Sequence, residues 1–165
     1  DVVLHLIGNG SEVDTIKNLI KEKHLEEKVI CHGIMKTRDV ERYYWSADAL
    51  IVSLTKEGSV GKTIPNKAIQ YLQYGRPILG VIQGDGKELL TKCGGAVFAN
   101  QEPMDIAHAM KTIMEMDENK KVELGKLNKA YYDANLSVDK LTQDITSVLT
   151  DSKNPDKELD WVLKP

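Results

Sequence analysis

The chain has 165 residues, 41% of them apolar and 28% charged, the balance of one globular domain with a sizeable core. No stretch approaches the roughly eighteen uncharged apolar residues of a membrane span, and no basic-then-apolar leader opens the chain, so neither a spanning segment nor secretion is expected. A net charge of -3 argues against a nucleic-acid binder, whose footprint is a strongly basic face. Cys31 and Cys93 stand in apolar surroundings without C-x-x-C spacing or paired histidines. A disulfide scaffold or structural zinc is therefore not expected; both cysteines read as buried or half-buried thiols, in keeping with a reducing cytoplasm.

An apolar run over residues 2–7, ended by Gly8-Asn9-Gly10, reads as a buried parallel strand and a tight turn. A chain that opens at Asp1 inside a strand is expected to be a piece of something longer. Ser11 is expected to cap a helix over residues 12–24, where Val13, Ile16, Leu19 and Ile20 share one face. Residues 29–31 form a second strand closed by His32-Gly33. Thr37 then caps a helix to Ser46 whose buried face is Val40, Tyr43, Tyr44 and Ala47. A third strand covers residues 50–54, and a glycine-containing loop runs to Pro65. A helix over residues 66–74 is stopped by Gly75, with Pro77 beyond. A fourth strand covers residues 78–82, a Gly84-Asp85-Gly86 turn opens a helix to Cys93, and a fifth strand covers residues 96–99.

Strict alternation of short apolar strands and helices marks an α/β fold with a doubly wound, Rossmann-like parallel sheet. After Pro103 the strands stop. Residues 105–116, 119–135 and 137–151 read as three helices, the last capped by Ser137, so residues 1–151 form one domain and 152–165 a polar tail. Charge is uneven across this plan. Residues 1–100 carry 13 basic and 12 acidic side chains, and residues 101–165 carry 9 and 13. Between Ser53 and Arg76, Lys56, Lys62, Lys67 and Arg76 face Glu57 alone, a local excess that fits a small anionic ligand or, equally, a solvated loop.

Ligands of open parallel sheets gather at the carboxyl ends of strands, where loops and helix N-termini converge. Three loops qualify. Gly8-Asn9-Gly10 permits close backbone approach to a ligand, and the loop from His32 through Ile34, Met35 and Lys36 offers backbone to a flat base. The third, Lys56-Glu57-Gly58-Ser59-Val60-Gly61-Lys62-Thr63, nearly spells the phosphate loop G-x-x-x-x-G-K-[ST] but begins with lysine where the backbone needs glycine to curl. Continued through Ile64-Pro65-Asn66-Lys67, the same loop enters a helix with Lys67 in its first turn and Gln70 three residues later on nearly the same face. A phosphate there would meet free N–H groups, a favourable helix dipole and a lysine, with Gln70 in reach of a sugar hydroxyl.

Over residues 2–150 this pattern resembles the C-terminal, nucleotide-sugar-binding half of a glycosyltransferase of the GT-B fold, in the family 4 group of retaining enzymes. Leu6-Ile7-Gly8-Asn9-Gly10 is similar to that family's V-G-x-G-P turn, and Val29-Ile30-Cys31-His32-Gly33 to its V-x-F-x-G strand. Tyr43-Tyr44-Trp45-Ser46-Ala47-Asp48-Ala49-Leu50 is similar to L-Y-x-x-A-D-x-x. Most specific, Ile64-Pro65-Asn66-Lys67 running to Gln70-Tyr71-Leu72-Gln73-Tyr74-Gly75-Arg76-Pro77-Ile78 resembles the P-S-K-x-x-E-Y-L-A-x-G-x-P-I block of capsule and O-antigen transferases.

Two positions depart from the pattern. Gln70 stands where the family has a ribose-binding Glu, which keeps donor and acceptor groups but loses the charge-assisted bond. Lys62 stands where the upstream Glu of the E-x7-E motif belongs, leaving Glu57 as the acidic residue nearby and the candidate catalytic side chain. The resemblance implies a nucleobase against Ile34, Met35 and Lys36, a ribose at Gln70, and a diphosphate at Gly61, Lys62, Thr63 and Ile64 with Lys67 and the Gly8, Asn9, Gly10 turn nearby. It implies no cofactor and no metal, because basic side chains and helix N-termini meet the charge of the departing nucleoside diphosphate. Asp85 and Asp48 read instead as a helix-start cap and a packing or turn residue.

The expected function is donor binding in a hexosyltransferase-type enzyme that moves a sugar from a UDP-sugar to a glycan or lipid-linked acceptor of a surface polysaccharide. An acceptor-binding N-terminal domain would complete it, at the cytoplasmic face of the membrane with peripheral association, and the 165 residues alone would bind without turnover. Another GT-B enzyme such as a sugar-nucleotide epimerase, a noncatalytic nucleotide-binding module and a phosphate-loop hydrolase are the competing expectations.

Overall fold

The five apolar runs form strands and the segments between them helices, in a computed structural model that describes residues 2–55, 58 and 63–150. In chain order the elements are β1 (Leu4–Ile7), α1 (Val13–Glu22), β2 (Val29–Gly33), α2 (Thr37–Ser46), β3 (Leu50–Ser53), α3 (Asn66–Leu72), β4 (Ile78–Val81), α4 (Gly84–Cys93), β5 (Ala96–Phe98), α5 (Pro103–Glu115), α6 (Glu118–Asn135) and α7 (Val138–Thr150). Every ladder is parallel. β1 pairs with β2, and β3, β4 and β5 pair in that order, with Leu50 opposite Ile78 and Ile78 opposite Ala96.

β4 lies in the middle of its ladder and is buried at all four residues. Alternate side chains go to opposite faces, so each face needs its own cover. Ile78 and Ile82 join Val52, Leu72 and Leu90 under α3 and α4, with Tyr131 and Tyr132 of α6 packed behind them. On the other face Leu79 and Val81 meet Ala109 and Ile113 of α5. Helices on both faces of a parallel sheet are the Rossmann-like α/β arrangement read from the alternation.

α6 crosses the start of this ladder at very short range. A Cβ on Gly125 would lie 2.0 Å from the Gly75 carbonyl oxygen, so only glycine fits. One turn on, the buried Asn128 donates from Nδ2 to the carbonyls of Arg76 at 2.8 Å and Gly95 at 3.0 Å, tying α6 to the entries of β4 and β5.

Helix ends differ from expectation by about a residue, which is enough to remove a cap. Glu12, not Ser11, is the N-cap of α1, and the Ser11 hydroxyl turns to the Glu12 carboxylate at 3.4 Å. Thr37 is already helical, because the extended backbone that defines a cap sits at Lys36. Asp85 lies inside the first turn of α4, where its charge favours the helix dipole without a cap bond. Ser137 caps α7 as read, its Oγ accepting from the Lys140 amide at 3.2 Å. Both cysteines are free; Cys31 is half-buried, and burial pushes the Cys93 thiol up to about 11.

Candidate functional site

β3 ends at Ser53, and the chain returns at Pro65, whose extended backbone (φ -70°, ψ 138°) leads into α3. The returning segment rests on α4: a Cβ on Gly86 would lie 3.1 Å from Pro65 Cδ and 3.2 Å from the Thr63 oxygen. The N-termini of α3 and α4 thus sit side by side at the carboxyl ends of β3 and β4. The first backbone bond of α3 runs from the Ala68 amide to the Pro65 carbonyl at 2.9 Å, so the Asn66 and Lys67 amides precede it and point out of the helix start.

Lys67 and Gln70 come together as their spacing implies. Lys67 Nζ donates to Gln70 Oε1 at 3.3 Å and to the Tyr44 hydroxyl at 2.9 Å. It also stands 5.5 Å from the Tyr44 ring centre and 5.9 Å from that of Tyr71. Burial, with Tyr44 beside it, pushes the Tyr71 hydroxyl up. No carboxylate pairs with Lys67 among the described residues. An ammonium carries three donors, and two are used here. Among the described residues the third donor is open and the charge unpaired, an arrangement that can hold an anion. Gln70 is half-buried and already accepts from Lys67, so a ribose there would exchange an existing bond for new ones.

The first two loops also meet. The Gly8 amide donates to the Gly33 carbonyl at 2.8 Å, where the β1–β2 register shifts. Gly8 (φ +138°) and Gly33 (φ +69°) take conformations that side chains rarely adopt, and a Cβ on either, or on Gly10, would touch nothing within 4 Å. Beyond them Asn9 and Lys36 are exposed, Met35 is half-buried, and Ile34 is 79% exposed. An apolar side chain left so open is a surface on which a flat ring could rest. Among the described residues no hydrogen bond joins the Gly8–Gly33 pair to the Lys67–Gln70 pair. Thr63 and Ile64 are exposed at the approach to α3, whereas Glu57, Gly61 and Lys62 lie outside the described residues, as does most of the near phosphate loop.

A histidine pair escaped the sequence reading. His5 Nδ1 and His32 Nε2 are 2.8 Å apart with rings inclined by 17°, and the Tyr43 hydroxyl lies 3.5 Å from His32 Nδ1. The register places His5 opposite Ile30, so His32, two residues on, shares its face. Alternation in two paired strands was the available signal. Tyr43, read as part of the buried face of α2, turns to this pair, while Tyr44 is buried with Leu50 and Tyr74.

A family model described as glycosyl transferases group 1 matches residues 1–116. The chain belongs to this family. Its fold is shared with solved GT-B glycosyltransferases. HepE of Anabaena, solved with UDP, superposes at a TM-score of 0.74 with 19% identity, over 91% of this chain and 41% of that one. Sucrose-phosphate synthase of Thermosynechococcus elongatus gives 0.71 with 17% identity, over 90% and 38%. WaaG, a glycosyltransferase involved in lipopolysaccharide biosynthesis, gives 0.66 with 11% identity, over 90% and 38%. No curated protein matches. The group 1 glycosyltransferase chain spans about two-fifths of the length of these structures. Among its described residues no helix is long and apolar enough to cross a membrane, and no three histidine, cysteine or carboxylate side chains gather to hold a metal.

Proposed function

We propose that this chain binds the donor of a retaining glycosyltransferase that moves a sugar from a UDP-sugar to a glycan or lipid-linked acceptor of a surface polysaccharide. The observation that carries this is Lys67, a cation in the first turn of α3 with no carboxylate among the described residues and with Gln70 at 3.3 Å. The diphosphate lies against the Asn66 and Lys67 amides, with Thr63 and Ile64 alongside, and the ribose reaches Gln70. The base rests near Ile34, Met35 and Lys36, beside the open turn of Gly8, Asn9 and Gly10.

Breaking the bond to the sugar places negative charge on the leaving diphosphate. A fixed ammonium and a helix start stabilise that charge more in the transition state than in the bound donor, and no metal is required. Solved proteins of this fold hold UDP or UDP-glucose, which supports uridine as the base. A further domain brings the acceptor, at the cytoplasmic face of the membrane, and the chain by itself binds without turnover.

Calorimetric titration with UDP in the presence of a chelator tests this. Saturable binding is expected, and Lys67→Ala should weaken it by about 1–3 kcal/mol, the range for a lost bond to a charged group. A melting curve of the variant separates lost binding from a loosened Tyr44 contact. No heat at millimolar UDP, or binding that depends on magnesium, overturns the assignment.

A further inference from the structure

At the other end of the β3–β4–β5 ladder, where the strands begin, a cleft of about 270 Å³ opens between the end of α2, the turn from α3 to β4, and α6. None of the donor-site candidates lines it. One wall is aromatic: Trp45, 53% exposed, stands edge-on to Tyr74 with ring centres 5.0 Å apart and planes 80° apart. That contact orients the indole and leaves much of its surface open to the cleft.

The opposite walls are cationic. Arg76, Lys121, Lys126 and Lys129 outnumber Asp48 and Glu118. Lys121 pairs with Glu118 at 2.9 Å and Lys129 with Asp133 at 2.6 Å, which leaves Arg76 and Lys126 without a carboxylate among the described residues. Arg76 donates one N–H to the Trp45 carbonyl, an orphan acceptor at the end of α2, while its Nε is buried with no partner. The half-buried guanidinium keeps further N–H donors at the cleft wall, which an acceptor from a ligand can meet. The floor is preformed, because Gly125 packs on Gly75 and Asn128 holds the Arg76 carbonyl.

We propose that this cleft binds an anionic saccharide unit, a pyranose carrying a phosphate or a carboxylate. The C–H face of the ring lies on Trp45, the anion lies between Arg76 and Lys126, and hydroxyls donate to Asp48. An aromatic platform beside a few convergent polar groups is the usual make-up of a small-molecule site. The site is separate from the donor site, across the length of the strands, and stands whether or not UDP binds there.

The chain has two tryptophans, Trp45 and Trp161, so Trp161→Phe makes emission report on Trp45 alone. In that background glucose 6-phosphate and glucuronate are titrated, with glucose and inorganic phosphate as controls. A saturable emission change is expected for at least one anionic sugar, with a Kd roughly tenfold below that of either control. The arm that binds more tightly tells a sugar phosphate from an acidic glycan. Lys126→Ala, at an exposed residue without an ion pair among the described residues, should weaken this by about fivefold at an unchanged melting temperature, and saturating UDP should not compete. Equal affinity for phosphate alone, or no saturation by about 20 mM of either sugar, overturns the proposal.

Discussion

β1 and β4 are both four-residue parallel strands of mostly apolar sequence, yet every residue of β4 is buried and none of β1 is. The difference lies in what covers them. β4 has α3, α4 and α6 on one face and α5 on the other. Beside β1, α1 has one buried residue, Ile20, while its Ile16 and Leu19 and the neighbouring Ile30 remain exposed. Apolar side chains stabilise only to the extent that something excludes water from them. The three-stranded ladder therefore carries the stability of the chain, and the two-stranded one carries loops.

The sharpest way to break that contrast is a matched pair of truncations. Leu72→Ala, at a fully buried position of α3, should cost about 2–5 kcal/mol in a denaturant titration, whereas Ile30→Ala, 37% exposed, should cost less than about 1 kcal/mol. Equal losses would mean that β1 and β2 have cover of their own. Gly125→Ala sharpens it from another side, because its Cβ would meet backbone and not a movable side chain. About 3 kcal/mol, the upper part of the overpacking range, is expected as a lowered midpoint.

A smaller effect should appear with pH. Burial raises the Cys93 thiol from 9.0 to about 11, so the unfolded chain loses this proton before the folded one does. Its contribution to stability is whole below pH 9 and is lost as pH rises to 11. The unfolding midpoint of the native chain should fall across that window more steeply than that of Cys93→Ala. Parallel slopes would show that the thiol is less protected than the rest of its ladder.

The candidate site was legible where it depends on short spacing. Lys67 and Gln70 are three residues apart on a helix, so their meeting follows from helical geometry. Tyr44, which takes a second donor of Lys67, lies 23 residues earlier and carries no local mark of that role. The His5–His32 contact spans 27 residues and needed the strand register. Caps at Ser11 and Thr37 failed because a hydroxyl caps only from the residue with extended backbone, and a shift of one position removes it. Asn128 carries no local mark within the 119–135 helix, yet it is fully buried and holds two strand entries.

By itself the sequence determined the alternation of strands and helices, the parallel α/β class, the family motif from Pro65 to Ile78 and the excess of basic residues from Ser53 to Arg76. These follow from periodicity, turn chemistry and local charge, which act over a few residues. Only the tertiary structure decided that the hydrogen bonds run in two ladders, that Lys67 meets Tyr44, and that Trp45 and Arg76 frame a cleft at the far end of the sheet. Each of those depends on which helix covers which face, a long-range choice made by packing.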